Sequence, residues 1–120
     1  MNEAILKIVE FQNQIRILHW QTNSYARHKA YDTIYEKLGE LLDEFVEVYQ
    51  GKYDKLEFSD ATIKVVGLDS IQLNDYIVEF INLLITELPK QLDGNDTDLL
   101  NIRDEILATV HKLKYFCTLK

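Results

Sequence analysis

Apolar residues recur at steps of three and four along most of the chain, the spacing of a single helix face. Ile5, Ile8, Val9, Phe11, Ile15 and Leu18 predict a first helix from about Asn2 to Thr22. "TNS" interrupts it, and Asn23 or Ser24 is suited to cap the next helix. Tyr31, Ile34, Tyr35, Leu38, Leu41, Leu42, Phe45 and Tyr49 predict a second helix from Tyr25 to Gln50, with Gly51 as its stop. Residues 52–68, "KYDKLEFSDATIKVVGL", break the period. The β-branched "TIKVV" has no second run to pair with, so a crossing connection is expected there rather than a sheet. A third helix should begin after Asp69 or Ser70, carry Leu73, Ile77, Phe80, Ile81, Leu84 and Leu88, and end or kink at Pro89. "LDGNDTD" separates it from a fourth, capped by Asp96 or Thr97, with Leu99, Ile102, Ile106, Val110, Leu113 and Cys117 on its inner face.

Four amphipathic helices predict an all-α four-helix bundle, one domain over residues 1–120. Short turns make the first and second helices, and the third and fourth, antiparallel neighbours. The link between the second and third has roughly 17 residues, against ~2–8 for ordinary bundle connections. Extended, it would reach ~56 Å, enough to cross the bundle end to end. The expected topology is therefore ferritin-like, with one long crossover between helices two and three.

Composition narrows the functional classes. Thirteen Lys and Arg against twenty Asp and Glu give a net charge of −7. Such a balance argues against nonspecific phosphate-backbone binding, and no nucleic-acid partner is expected. The single cysteine, Cys117, excludes an internal disulfide and fits a reducing compartment. The start "MNEAILKIVEFQNQ" lacks a basic segment followed by an apolar run, and no apolar run reaches membrane length. A cytoplasmic protein without membrane partners is expected. There is no Gly-x-Ser-x-Gly, and the four isolated glycines form no phosphate-cradling loop.

The candidate chemistry lies in "LHWQTNSYARH" and "DEFVE". The first holds His19 and His28, nine positions apart with Trp20 beside the first; the second holds Asp43 and Glu47 at i, i+4. At ~100° per residue, Asp43 and Glu47 fall ~60° and ~100° round the helix from His28, one turn apart on one flank. Along the axis, however, Asp43 lies ~22 Å beyond His28, whereas metal–ligand bonds are ~2–2.5 Å. One chain thus offers two half-sites, His19 with His28 and Asp43 with Glu47. A two-fold dimer with antiparallel second helices would join each half to the partner's other half. Gly39, near the same flank, would permit close approach. Singly, each element has a plainer reading: a histidine at a helix end as a cap, an exposed Asp/Glu pair as solvated surface, a tryptophan as core.

These residues resemble the signature of the Dps-type mini-ferritins of the ferritin-like superfamily. That signature is His-Trp ending the first helix, a second His early in the next, then Asp-x-x-x-Glu. Here it reads His19-Trp20, His28 and Asp43 to Glu47. The resemblance implies a ferroxidase site with His19 and His28 from one subunit and Asp43 and Glu47 from its two-fold partner, Glu47 bridging and Trp20 close by. It implies iron, as a di-iron or mono-iron centre, oxidation of Fe(II), typically by peroxide, and assembly into a homo-oligomer, a dimer at least and a cage in that family. The chain is also similar to small ferritin-like proteins encoded by bacteriophages. It departs from the Dps pattern in its turn between the histidines, about three residues shorter, and in lacking a Lys-rich DNA-binding tail.

Other residues support less. A larger ferritin-type site would need Glu-x-x-His on two helices, and none occurs, so Glu79, Asp104 and Glu105 build no such centre. His111 and Asp104 are ~10 Å apart along a helix. Arg103 is expected to pair with carboxylates of another helix. Tyr25, Tyr31 and Tyr35 are expected near the dimer contact. The rival reading is a non-catalytic ferritin-like structural or interaction protein, associated with a phage, that uses the same helix face as an oligomer interface.

Overall fold

The computed structural model describes residues 1–119, and among them it contains helices and no strand. Four α-helices make up most of it: α1 Asn2–Gln21, α2 Tyr25–Lys52, α3 Leu73–Asn82 and α4 Thr97–Phe116. Each turns its three-and-four stripe into one core. Ile8, Phe11 and Ile15 enter from α1, Ile34, Leu38 and Phe45 from α2, Ile77 and Phe80 from α3, and Leu99, Ile106 and Val110 from α4. Side chains of this size contribute ~1.5–3 kcal/mol each on burial, so the stripe determines which face of each helix turns inward. Phe11 is a joint between α1 and α3, its ring stacked 4.0 Å from Phe80 and 5.5 Å from Tyr76.

Contacts at both ends show that α2 and α4 are antiparallel. At one end Arg27 Nη2 donates to the Cys117 carbonyl at 2.8 Å. At the other, Lys52 Nζ lies 2.7 Å from both Asp96 Oδ1 and Asp98 Oδ1. Between α2 and α3 the chain climbs the side of α1. Asn2 Nδ2 donates to the Glu57 carbonyl, Lys64 N–H to Glu10, Val66 N–H to Gln14 and Leu68 N–H to Gln21. The partners advance in the same order on both segments, so the link runs parallel to α1 from its start to its end. A short 3₁₀ turn, Leu68–Ser70, then leads into α3. Gln14, 1% exposed, is a buried amide that both accepts from Val66 N–H and donates to Val66 O, each at 2.8 Å. It holds the β-branched "TIKVV" stretch extended without a partner strand.

Three local expectations are corrected. The second helix continues through Gly51 to Lys52 and closes with Tyr53 N–H on Tyr49 O at 2.9 Å. Gly51 keeps a negative φ, because the anchoring of Lys52 on Asp96 and Asp98 extends the last turn past it. Asp96 precedes α4, but its side chain does not cap it; it accepts instead from Asp93 N–H, Tyr53 OH and Lys52. The third helix gives way around Pro89 as expected, through a wide π-type turn over Leu83–Glu87 and then a 3₁₀ turn over Leu88–Gln91. There Leu88 N–H reaches back to Leu83 O. In that register the donor for Leu84 O would be residue 89, a proline with no N–H. Arg103 Nη1 supplies the missing bond at 2.9 Å. Arg103 therefore serves a backbone carbonyl on the neighbouring segment, and its carboxylate partner is the adjacent Asp104, at 2.9 Å.

Candidate metal centre

Ser24 shapes the turn that brings the histidines together. Its Oγ accepts from Arg27 N–H at 3.2 Å and starts α2 with only three residues between it and the end of α1. The last turn of α1 and the first of α2 then lie side by side. The His19 and His28 rings stack with centroids 3.9 Å apart and planes 16° from parallel. Each Nδ1 faces the other's backbone carbonyl: His19 Nδ1 to His28 O at 2.7 Å, His28 Nδ1 to His19 O at 2.8 Å. A carbonyl only accepts, so in the neutral rings the proton is assigned to both Nδ1 atoms and both Nε2 atoms keep a lone pair. His19 O is also among the α1 end carbonyls that lack an intrahelical donor. One arrangement therefore clasps two helix ends and presents two imidazole donors, the ligand type that suits Zn, Cu, Fe and Ni.

Asp43 and Glu47 occupy a different place. With α2 unbroken from Tyr25 to Lys52, Asp43 lies ~22 Å along the axis from His28. Both carboxylates are exposed. They border a groove of about 510 Å³ otherwise lined by Ile5, Leu6, Val9, Leu42, Val46 and Phe58. The fold thus pairs His19 with His28, and leaves Asp43 and Glu47 one turn apart, without joining the two pairs. Among the described residues no three His, Cys, Asp or Glu side chains cluster as a metal site.

Two further expectations change. Gly39 does not open α2 to another copy: a Cβ there would meet Gln12 Nε2 of α1 at 2.9 Å. The glycine makes room for Gln12, which donates to Tyr35 O at 3.2 Å. Trp20 is not core; it is 63% exposed, with the Arg16 guanidinium 5.2 Å from its ring and 4.8 Å from that of Tyr35. Of the three tyrosines, Tyr25 is exposed and Tyr35 half-buried. Tyr31 is fully buried and its hydroxyl has no hydrogen-bond partner. Burial raises its pKa, an effect that the nearby Cys117 reinforces and Arg27 opposes. His111 is exposed on α4.

Sequence reasoning missed a polar hub at the far end of α2. Lys52 holds Asp96 and Asp98, and Tyr53 OH donates to Asp96. Lys52 first, then Tyr53 and the Asp93 amide, hold the Asp96 carboxyl down to about 2. Asp96 is 3% exposed, so its charge is matched where water reaches it little. The only trace in sequence is the unusual density of Asp in "LDGNDTD" opposite a lysine more than forty positions away.

The class defined by these features is an all-helical protein whose first two helices are clasped by a histidine pair. The chain belongs to DUF5856, a family of unknown function whose model matches residues 19–116, a span that takes in both histidines and both carboxylates. It is 32% identical over 104 residues to an uncharacterized 14.6 kDa protein in the mobD-ri intergenic region of Enterobacteria phage T4, covering 85% of this chain and 75% of that protein. No solved structure matches it. No helix among the described residues is long and apolar enough to cross a membrane.

Proposed function

We propose that this chain is a ferritin-like, Dps-like four-helix bundle that binds iron between two-fold-related copies and oxidises Fe(II) there. The observation that carries the reading is the histidine pair. Its Nδ1 atoms are held by backbone carbonyls and its Nε2 atoms are left as donors. Supporting this arrangement, a hydrogen bond on the far nitrogen is how metal-binding histidines are usually oriented. His19 and His28 of one copy, with Asp43 and Glu47 of a second, would make a mixed nitrogen and oxygen set suited to iron. The two carboxylates would offset the charge of the cation, which as Fe(II) is substrate as well as ligand. The ~22 Å between the half-sites makes the second copy a requirement.

A second reading is favoured by a separate observation. Asp43 and Glu47 rim an apolar groove in which Phe58 is 48% exposed. That is the character of an interaction surface, and a non-catalytic interaction protein would use it with no metal. Anaerobic Fe(II) titration followed by air or peroxide separates the two. The iron reading predicts a ferric absorbance rise that Asp43→Asn/Glu47→Gln abolishes and a mass in solution of a dimer or larger. No rise, or a rise unchanged in that variant, leaves the interaction reading.

A further inference from the structure

The net charge of −7 conceals a strong segregation. Residues 11–31 contain three cations and no Asp or Glu, and residues 106–119 contain two more and again no acid. The fold brings these segments to one end: α2 starts beside the end of α1, and Arg27 ties the start of α2 to the end of α4 at Cys117. The five cations are thus gathered, while all twenty acids lie outside these two segments. Acids border this end at Asp69 and Asp75 in the α3 corner and at exposed Asp32 one turn beyond Lys29 on α2, so the basic surface is confined to the last part of α1, the first turns of α2 and the last turns of α4.

Exposed aromatics coincide with this surface. Among large hydrophobic side chains the three most exposed are Tyr25 at 73%, Trp20 at 63% and Tyr115 at 60%. All three belong to the acid-free segments. Nothing in the core requires them outside, and each ring lost from the interior forgoes burial energy. Two already carry a cation: Arg16 lies over Trp20, and Lys29 lies 5.8 Å from the Tyr25 ring centroid. Lys112 and Lys114 stand exposed next to Tyr115.

We propose that this end of the molecule binds single-stranded nucleic acid, its exposed rings stacking on unpaired bases and its cations tracking the phosphates. Alternating aromatic and cationic groups are the chemistry of that ligand. An acidic polypeptide would use the charges and leave the rings idle. A duplex would offer phosphates and hide its base faces. The surface adjoins the histidine pair that the iron reading sets against a second copy, so binding is tested with chelator present and the state of association followed alongside.

Trp20 is the sole tryptophan, so its fluorescence reports the site directly. Titration of the full chain in EDTA with dT12 and with U12 should give saturable quenching, and the tighter of the two identifies the natural strand. The apparent Kd should rise with salt, as expected for a few released counterions. Tyr25→Ala and Tyr115→Ala should each weaken binding by roughly five-fold or more, and Lys29→Ala/Lys112→Ala/Lys114→Ala should weaken it further while helical circular dichroism is unchanged. Polyglutamate should compete poorly and leave Trp20 unquenched. Three results would overturn the proposal: no saturable quenching, equal binding of a twelve-base-pair duplex or of polyglutamate, or burial of Trp20 in a dimer of this chain that no oligonucleotide displaces.

Discussion

The two ends of α2 each carry a polar cluster, and the two are built on opposite principles. At its C-terminal end Lys52, Tyr53, Asp96 and Asp98 satisfy one another, cation against anion and hydroxyl against carboxylate. Nothing there is left to bind. At its N-terminal end His19 and His28 use one nitrogen each to hold the backbone and leave the other free. The surrounding rings and cations face solvent. The closed cluster latches α2 to the loop before α4. The open one is where the chain has retained valences that its own fold does not consume. Polarity alone does not distinguish a site from a structural joint; unspent hydrogen-bonding and ligating capacity does.

That contrast makes graded predictions. The largest concerns the open end: His19→Ala/His28→Ala should lower metal affinity at least a hundred-fold by isothermal titration, with thermal unfolding shifted far less than binding. A collapse of the fold instead would make the pair a clasp and nothing more. Next, at a structural joint, Arg103→Ala leaves Leu84 O without a donor and should cost about 1–3 kcal/mol in urea unfolding. Arg103→Lys should restore only part, since one ammonium replaces a fork that also holds Asp104.

The closed end should show itself in pH dependence. The Asp96 carboxyl is lowered in the folded chain to about 2 from 3.8. A depressed carboxylate stabilises the fold above its unfolded pKa, and that contribution is lost as pH falls from about 3.8 through about 2. Asp96→Asn should therefore flatten the acid limb of a stability-against-pH curve in that window and lower the melting temperature at neutral pH. The smallest effect concerns Tyr31. Its buried hydroxyl is unpartnered, so Tyr31→Phe should leave unfolding unchanged or raise it by about 1 kcal/mol. A marked loss would mean that the hydroxyl is paired with Cys117 or Arg27 in solution.

Helix positions and faces were legible because burial imposes its three-and-four spacing residue by residue; Ile8, Leu38 and Ile106 all lie where that spacing puts them. The long link was legible from the same pattern, by its absence between Lys52 and Leu68. What stayed hidden depends on partners far apart in sequence. Gly39 reads as an opening until Gln12 is seen filling it. Trp20 reads as core by residue type, yet lies outside with Arg16. Arg103 has acidic neighbours that suggest an ion pair, while its main task stems from a proline fourteen positions earlier. Of the candidate site, spacing gave two half-sites and the distance between them. The reciprocal carbonyl bonds that orient the histidines could not be read from the string, because they depend on the rotation of one helix end against the other.

The central claim is that the open histidine pair of one copy and the Asp43–Glu47 pair of another form one iron site. It is tested most directly by anomalous diffraction at the iron absorption edge from crystals grown anaerobically with Fe(II). The account predicts an anomalous peak within ~2–2.5 Å of ligand atoms from His19 and His28 of one chain and Asp43 or Glu47 of another. A peak held by one chain alone, or none at the histidines, would contradict it.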